Sequence, residues 1–413
     1  MSTNYTSIKN NRLNLTIPKW KSVLLFIVVL YIFTYQLWIE LMGINNPYRY
    51  SIYVIIILGF YSYFVNNIKI TFHFYDFAFV VFSLYSVLNF MGSEYRGSLL
   101  DLYDYLFIPL VYVAGLYFCR SKGSLLIFKK LIINLGTITS IISIYEFLSN
   151  RLLLSTGVQH TLLLHIRPCS LFGSPIIGGL VSAIVSIVIF QDGFKHKTRI
   201  LLLLLNILAV LFTLSRGPMV SLLGGMLFIW YFKRIRFIDK INRVIFFVIF
   251  VVYFFIVFST LKFSKEYVIL YRISQIFNWT SEGGNLSRLD TWYKLLNNVN
   301  NVFWGNGMGF LEYKGIDPES GLFAVFVETG ILGVILYFLP FVLIVLNSLR
   351  YTKHSLENRL IILLPLSMMV VIIIDNLTLQ VLQSLIIQLL MGLTCAYCSL
   401  LTNHCSYEII NKG

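Results

Sequence analysis

About a dozen apolar runs, each close to the length that crosses a bilayer, follow one another along this chain, and that succession leaves few folds open. Some 30 Å of hydrocarbon takes roughly 17 to 25 helical residues. Runs of this kind lie near 22–42, 50–67, 73–91, 101–119, 125–149, 173–191, 198–214, 218–232, 244–260, 321–348, 359–375 and 378–401. With 58% hydrophobic and 12% charged residues and a mean hydropathy of +0.80 over 413 residues, a water-soluble domain is excluded. The expected fold is all-α, a polytopic integral membrane protein of about 12 transmembrane helices. No long linker, low-complexity tract or repeat divides it, so 1–413 reads as a single membrane domain. The first run follows Lys9, Arg12, Lys19 and Lys21 and lacks a small-residue cleavage site, so it reads as a retained helix.

Basic residues set the orientation. With both termini cytoplasmic, the inner segments collect 21 of the 32 Lys and Arg. Six of the other 11 (Lys262, Lys265, Arg272, Arg288, Lys294 and Lys314) fall in one long segment, where the positive-inside rule counts least. The formal charge of +14 is therefore an orientation signal and a contact with anionic lipid. It does not point to nucleic acid; the basic and aromatic group at Arg234, Arg236 and Phe237 reads as membrane surface. Cys395 and Cys398 share a C-x-x-C spacing but sit in the last run without a second pair, and read as buried small hydrophobes.

Residues 261–320 form the long extracytoplasmic loop expected between spans 9 and 10, and a loop of that length is usually functional. Within it, Ser287-Arg288-Leu289-Asp290 reads as a capping box that opens an amphipathic helix with Leu289, Trp292, Leu295, Leu296 and Val299 on one face. Arg288 in its first turn would add to the positive helix end and favour an anion. Gly305-Asn306-Gly307-Met308-Gly309 lacks the preceding strand of a dinucleotide fold, so its glycines suit tight turns that return the chain to the membrane near Asp317-Pro318-Glu319-Ser320-Gly321.

Arg216 lies in Thr213-Leu214-Ser215-Arg216-Gly217-Pro218, where one apolar run hands over to the next, and a charge there is costly enough to be a functional candidate. Arg167 stands just before another run, where a snorkelling anchor and a functional charge are equal readings. His160 and His165, five apart without a nearby carboxylate, suit surface or packing roles. Glu40, Asp76, Asp101, Asp104, Glu146, Glu328 and Asp375 lie within or beside spans and keep a transport reading open. Arg167, Arg216 and Arg288 share the outer side with Asp317 and Glu319 in this topology. Guanidinium forks suit phosphate oxygens and a carboxylate can take a proton from a hydroxyl, a combination that fits displacement of a diphosphate. Neither a phosphate loop nor a dense metal-ligand cluster is present, so no metal ion or cofactor is expected.

Four stretches together resemble the O-antigen polymerase and O-antigen ligase superfamily of bacterial membrane glycosyltransferases. They are Arg167-Pro168-Cys169-Ser170-Leu171-Phe172-Gly173-Ser174-Pro175, Thr213-Leu214-Ser215-Arg216-Gly217, Ser287-Arg288-Leu289-Asp290-Thr291-Trp292, and the run from Gly305 through Asp317-Pro318-Glu319-Ser320-Gly321 to Glu328-Thr329-Gly330-Ile331-Leu332-Gly333. Their order and sidedness cover about the middle half of the chain. The resemblance implies an all-helical fold like the type C membrane glycosyltransferases, in a bacterial cytoplasmic (inner) membrane. It implies transfer from an undecaprenyl-diphosphate-linked oligosaccharide donor to an acceptor hydroxyl at the outer face, inverting and without metal. Arg216 and Arg288 would grip the diphosphate with Arg167 in support.

In the ligase branch a histidine stands about eleven residues before the glycine of the last motif. Counting back from Gly330 reaches Glu319 here. That departure favours a polymerase, with Glu319 as base and Asp317 as its rival, acting on a lipid-linked acceptor repeat. A chain-length regulator and a flippase are the protein partners such a system accommodates. The alternatives are a ligase that passes polymer to a lipid A core or other acceptor, and a flippase or transporter, against which the lack of two related halves speaks.

Overall fold

The computed structural model describes residues 73–95, 99–118, 122–154, 161–162, 165–192, 197–233, 285–316, 318, 320–351, 356–376 and 384–410, with single residues at 27, 30, 34, 269, 271 and 273. Among them the fold is all-helical but for one two-residue ladder. The helices are α1 (Phe74–Gly92), α2 (Leu99–Phe118), α3 (Lys122–Ser149), α4 (Pro175–Asp192), α5 (Lys197–Phe212), α6 (Arg216–Lys233), α7 (Asn285–Asn297), α8 (Phe310–Lys314), α9 (Gly321–Tyr351), α10 (Leu356–Asn376) and α11 (Leu385–Ile410). Strands β1 (Thr161–Leu162) and β2 (His165–Ile166) pair antiparallel in the α3–α4 connection. Among the described residues three helices are long and apolar enough to cross a membrane by themselves: Phe74–Gly92, Gly123–Ser149 and Gly321–Tyr351. The segments around Pro175–Gln191, Ile361–Asn376 and Ile386–Thr402 are apolar but shorter. The protein is an integral membrane protein. The runs near 22–42 and 244–260, and the whole of 50–67, lie outside the described residues or touch them only at single positions.

Helices are the outcome because lipid offers backbone groups no partner, so each run satisfies its own N–H and C=O. Pro109, Pro340 and Pro365 sit inside α2, α9 and α10 on the same terms, supported by neighbouring helices. Small residues set the closest approaches. A Cβ added at Gly115 of α2 would lie 2.7 Å from Ala396 Cβ of α11, and one at Gly225 of α6 would lie 2.4 Å from Val371 of α10. Dispersion between closely approached backbones, more than water exclusion, holds such pairs together in lipid. Cys395 and Cys398 are buried on α11, as small hydrophobes are.

The direction of each helix follows from its contacts. α1 and α9 run antiparallel: Phe79 meets Phe341 edge to face at 5.9 Å, while further along α1 the Tyr85 hydroxyl donates to Thr329 O at 2.5 Å. Near the start of α6, Ser221 Oγ donates to Asp375 Oδ1 at 3.4 Å close to the end of α10. The last residue of α10, Asn376, reaches the Tyr337 hydroxyl midway along α9 at 3.4 Å. The start of α6 and the first half of α9 therefore lie at the same end of the bundle.

Candidate active site

One part of that end is the turn between α5 and α6. Thr213, Leu214 and Ser215 are buried, and Leu214 takes a left-handed φ of 53°, uncommon for a residue with a branched side chain. Thr213 Oγ1 donates to Val210 O at 2.7 Å, which closes the last turn of α5. Arg216 opens α6, with Pro218 two residues on, where a proline's missing N–H costs nothing. Arg167 comes to the turn from the α3–α4 connection. Its Nε donates to Thr213 O at 3.3 Å and its Nη2 to Ser215 Oγ at 2.8 Å. Ser215 Oγ in turn donates to Thr213 O at 3.2 Å. Two arginines 49 positions apart in sequence thus meet at one turn. Arg167 is tied to protein, not merely extended toward headgroups.

The chain around Arg167 is held from below by Glu146, near the end of α3. Its carboxylate is fully buried and accepts the backbone N–H groups of Leu153 at 2.9 Å, Cys169 at 3.0 Å and Ser170 at 2.8 Å. Ser170 has φ 51°, and its hydroxyl donates to Thr139 O at 2.7 Å. Cys169 is buried beside them. Desolvation, aided by the Glu146 charge and opposed by Arg167, pushes its thiol up to about 12, so it stays protonated and unreactive near neutral pH.

The other part is a break in α9. Gly330 has φ 68° and ψ −172°, a conformation almost confined to glycine, so the helix interrupts itself there. Main-chain groups freed by the break are taken up by the glycine-rich loop. Asn306 N donates to Val327 O at 2.9 Å, Gly307 N to Glu328 O at 2.9 Å and Ile331 N to Val302 O at 2.9 Å. Glu328 adds its side chain, accepting from Gly309 N and Leu311 N at 3.2 Å each and from the Tyr105 hydroxyl at 2.8 Å. α1 closes the other side: Asn89 donates to Trp304 O at 3.0 Å and Ser93 Oγ to Met308 O at 2.8 Å. Gly305, Gly307 and Gly309 all have positive φ, as tight turns require.

α7 rests on this assembly through Trp292. The indole Nε1 donates to Pro318 O at 2.8 Å, and the ring stacks on Phe323 at 4.4 Å. Leu295 is buried in a small cluster with Phe310, Leu311, Ala324 and Val327. Asn285 and Leu286 are already helical, so Ser287 lies inside the helix and not at the cap, a correction to the expected capping box. Leu289 and Leu296, expected on the packed face, are exposed; the seam runs through Trp292, Leu295 and Val299 instead. Arg288 lies one turn before Trp292 in α7, with its side chain outside the described residues. Asp317 and Glu319 also lie outside the described residues, while Pro318 between them is fixed by Trp292.

Residues 201–338 match the model of a family described as O-Antigen ligase. Over these residues the chain is similar to an O-antigen ligase family domain. The family covers both polymerase and ligase members, and these are membrane glycosyltransferases of O-antigen and surface-polysaccharide biosynthesis acting on lipid-linked glycans. The O-antigen ligase match covers about a third of the chain, from α5 past the break in α9, and contains Arg216, Arg288, Asp317, Glu319 and Glu328. Arg167 lies outside it, yet docks on a turn within it. No curated protein matches the chain.

Glu146 and Glu328, which sequence placed among acidic residues suited to a transport path, are occupied instead by backbone amides. Tyr105 drew no attention in the sequence, because an apolar run hides a tyrosine whose hydroxyl has a partner. Among the described residues there is no cluster of three or more His, Cys, Asp or Glu side chains able to hold a metal ion.

Proposed function

We propose that the protein is a surface-polysaccharide polymerase, extending one polyprenyl-diphosphate-linked repeat with another at the outer face of the cytoplasmic membrane. The observation that carries this is the docking of Arg167 across Thr213–Ser215, which sets a second guanidinium beside the turn that Arg216 leaves, at the end of the bundle where α7 also rests. Arg216 and Arg288 bind the departing diphosphate, and Arg167 holds the turn and adds charge. Charge-assisted contacts of this kind contribute about 1.5 to 3 kcal/mol each. They accelerate transfer to the extent that they strengthen as negative charge develops on the leaving group.

The acceptor hydroxyl attacks the anomeric carbon from the face opposite the leaving diphosphate, so the configuration inverts. Glu319, with Asp317 as the other candidate, takes the hydroxyl proton. Trp292 gives this return segment a fixed point at Pro318 and ties it to the helix that carries Arg288. The ligase reading rests on the same diphosphate chemistry. A carboxylate where the ligase branch carries histidine favours the polymerase.

Arg216→Ala and Arg288→Ala are each expected to leave the protein inserted while cells accumulate single-repeat glycan. Gel analysis of lipid-linked and surface glycan checks this. Normal chain lengths in both variants would sink the assignment, and full-length polymer retained on its lipid carrier would instead identify a ligase.

A further inference from the structure

Val302, Phe303 and Trp304 follow one another in the loop after α7, and all three are exposed, at 55%, 69% and 56%. Consecutive large apolar side chains left open in a loop are a liability in water unless something covers them. Their main chain is the opposite of open. The N–H groups of Phe303 and Trp304 donate to Asn301 Oδ1 at 3.0 and 3.1 Å, and that of Gly305 donates to Asn301 O at 2.8 Å. Val302 O accepts from Ile331 N at 2.9 Å, Phe303 O from Leu332 N at 3.4 Å and Trp304 O from Asn89 Nδ2 at 3.0 Å. A loop in water can leave such groups to solvent, whereas backbone in hydrocarbon must meet each of them within the protein.

The depth agrees. α1 has 19 residues and measures about 28 Å at about 1.5 Å per residue, close to the hydrocarbon thickness, so its end at Gly92 marks the edge of the apolar layer. Asn89 then lies about 5 Å and Tyr85 about 10 Å inside that edge. Trp304 is held at this level, its ring stacked on Tyr85 at 5.9 Å. Along α1, Phe77, Val80, Leu84, Leu88 and Met91 are exposed at steps of three and four, the lipid face of that span. The exposed row of α9 starts at Ile331, the residue whose N–H the loop takes up, and nothing in 321–330 is exposed. The loop thus continues the lipid-facing surface of both spans past the break. We propose that Val302-Phe303-Trp304 is an apolar foot that inserts among the acyl chains of the adjacent leaflet and fixes the depth of the loop and of α7 at the membrane. Asn297, Asn298, Asn300 and Asn301, just before it, suit the headgroup layer, and an indole suits that layer's inner edge. The foot is independent of which reaction the site performs.

The test uses the full chain in nanodiscs with a nitroxide on Phe303→Cys. Collision rates are measured for oxygen, which concentrates among acyl chains, and for a neutral nickel chelate, which stays in water. The labelled unaltered protein supplies the signal of the native cysteines, which is subtracted. Position 303 is expected to match Leu88→Cys on the lipid face of α1, with the ratio of oxygen to nickel collisions several-fold above that at Glu312→Cys, a charged and exposed position on α8. Val302→Cys reads the same depth if the first variant fails to insert. Phe303→Asp should free α7, seen as a sharper nitroxide spectrum at Tyr293→Cys, while Phe303→Leu leaves that spectrum as it was. Nickel collisions at 303 as frequent as at Glu312→Cys would place the loop in water and overturn the proposal. Protection from both reagents would overturn it as well, because protein and not lipid would then cover the patch. An unchanged spectrum at Tyr293→Cys in Phe303→Asp would remove the anchoring role.

Discussion

Glu146 and Glu328 show what a buried carboxylate does in this protein when its partners among the described residues are backbone amides and a hydroxyl. Each gathers backbone amides from a loop that could not otherwise satisfy them: Leu153, Cys169 and Ser170 in one case, Gly309 and Leu311 in the other. An amide buried without a partner costs about 1 to 3 kcal/mol, so removing Glu146 strands three donors at once. Glu146→Ala is expected to lower stability by roughly 3 kcal/mol or more, seen as an earlier thermal unfolding transition in detergent. Glu146→Gln keeps one acceptor oxygen and should fall between. Equal transitions for all three proteins would mean that the loop carrying Arg167 is held by something else. Sequence marked Glu146 as an expensive charge but not its purpose, since its partners lie seven, 23 and 24 residues further on and are main-chain groups that any residue supplies.

Among elements, the interrupted α9 most affects the shape of the site. A Cβ at Gly330 would stand 2.2 Å from Phe303 O, and one at Gly305 would stand 2.4 Å from Glu328 O, so the loop and the break exclude side chains from each other. Gly330→Ala should separate them and abolish polymer formation. Gly315→Ala has a similar φ of 63° but meets nothing within 4 Å, so it should cost only about 1 kcal/mol of backbone strain and keep activity. Glycan chain length and thermal unfolding measured on both variants check the contrast, and equal losses would contradict it. The long apolar helices were legible from hydropathy alone, because in lipid a run of that length has few other options. The break was not, since hydropathy carries no record of main-chain torsion and the residues that repair it come from a loop more than 20 positions earlier. α7 was legible as a helix but not in its cap or its seam: Ser287 falls inside it, and packing on Phe323 and Pro318 decides which side is buried.

For the whole molecule, the bundle brings the α5–α6 turn and the interrupted α9 to one end, through α10 between them. Sequence anticipated a shared side from the distribution of Lys and Arg, which is an argument about loops and not about distance. It could not show that Arg167 and the Arg216 turn touch, because that contact depends on how α4 packs against the α5–α6 turn and the start of α6 at Gly179, where an added Cβ would meet Thr213 Oγ1 at 2.8 Å and Pro218 at 3.0 Å. The central claim is that this end binds a lipid diphosphate through arginines and extends the glycan it carries. Purified protein supplied with one defined polyprenyl-diphosphate-linked repeat, without an ion gradient, tests it most directly. A ladder of lipid-linked oligomers that disappears in Arg216→Ala and Arg288→Ala is the expected result; a ladder that survives both substitutions, or none from the unaltered protein, would contradict the account.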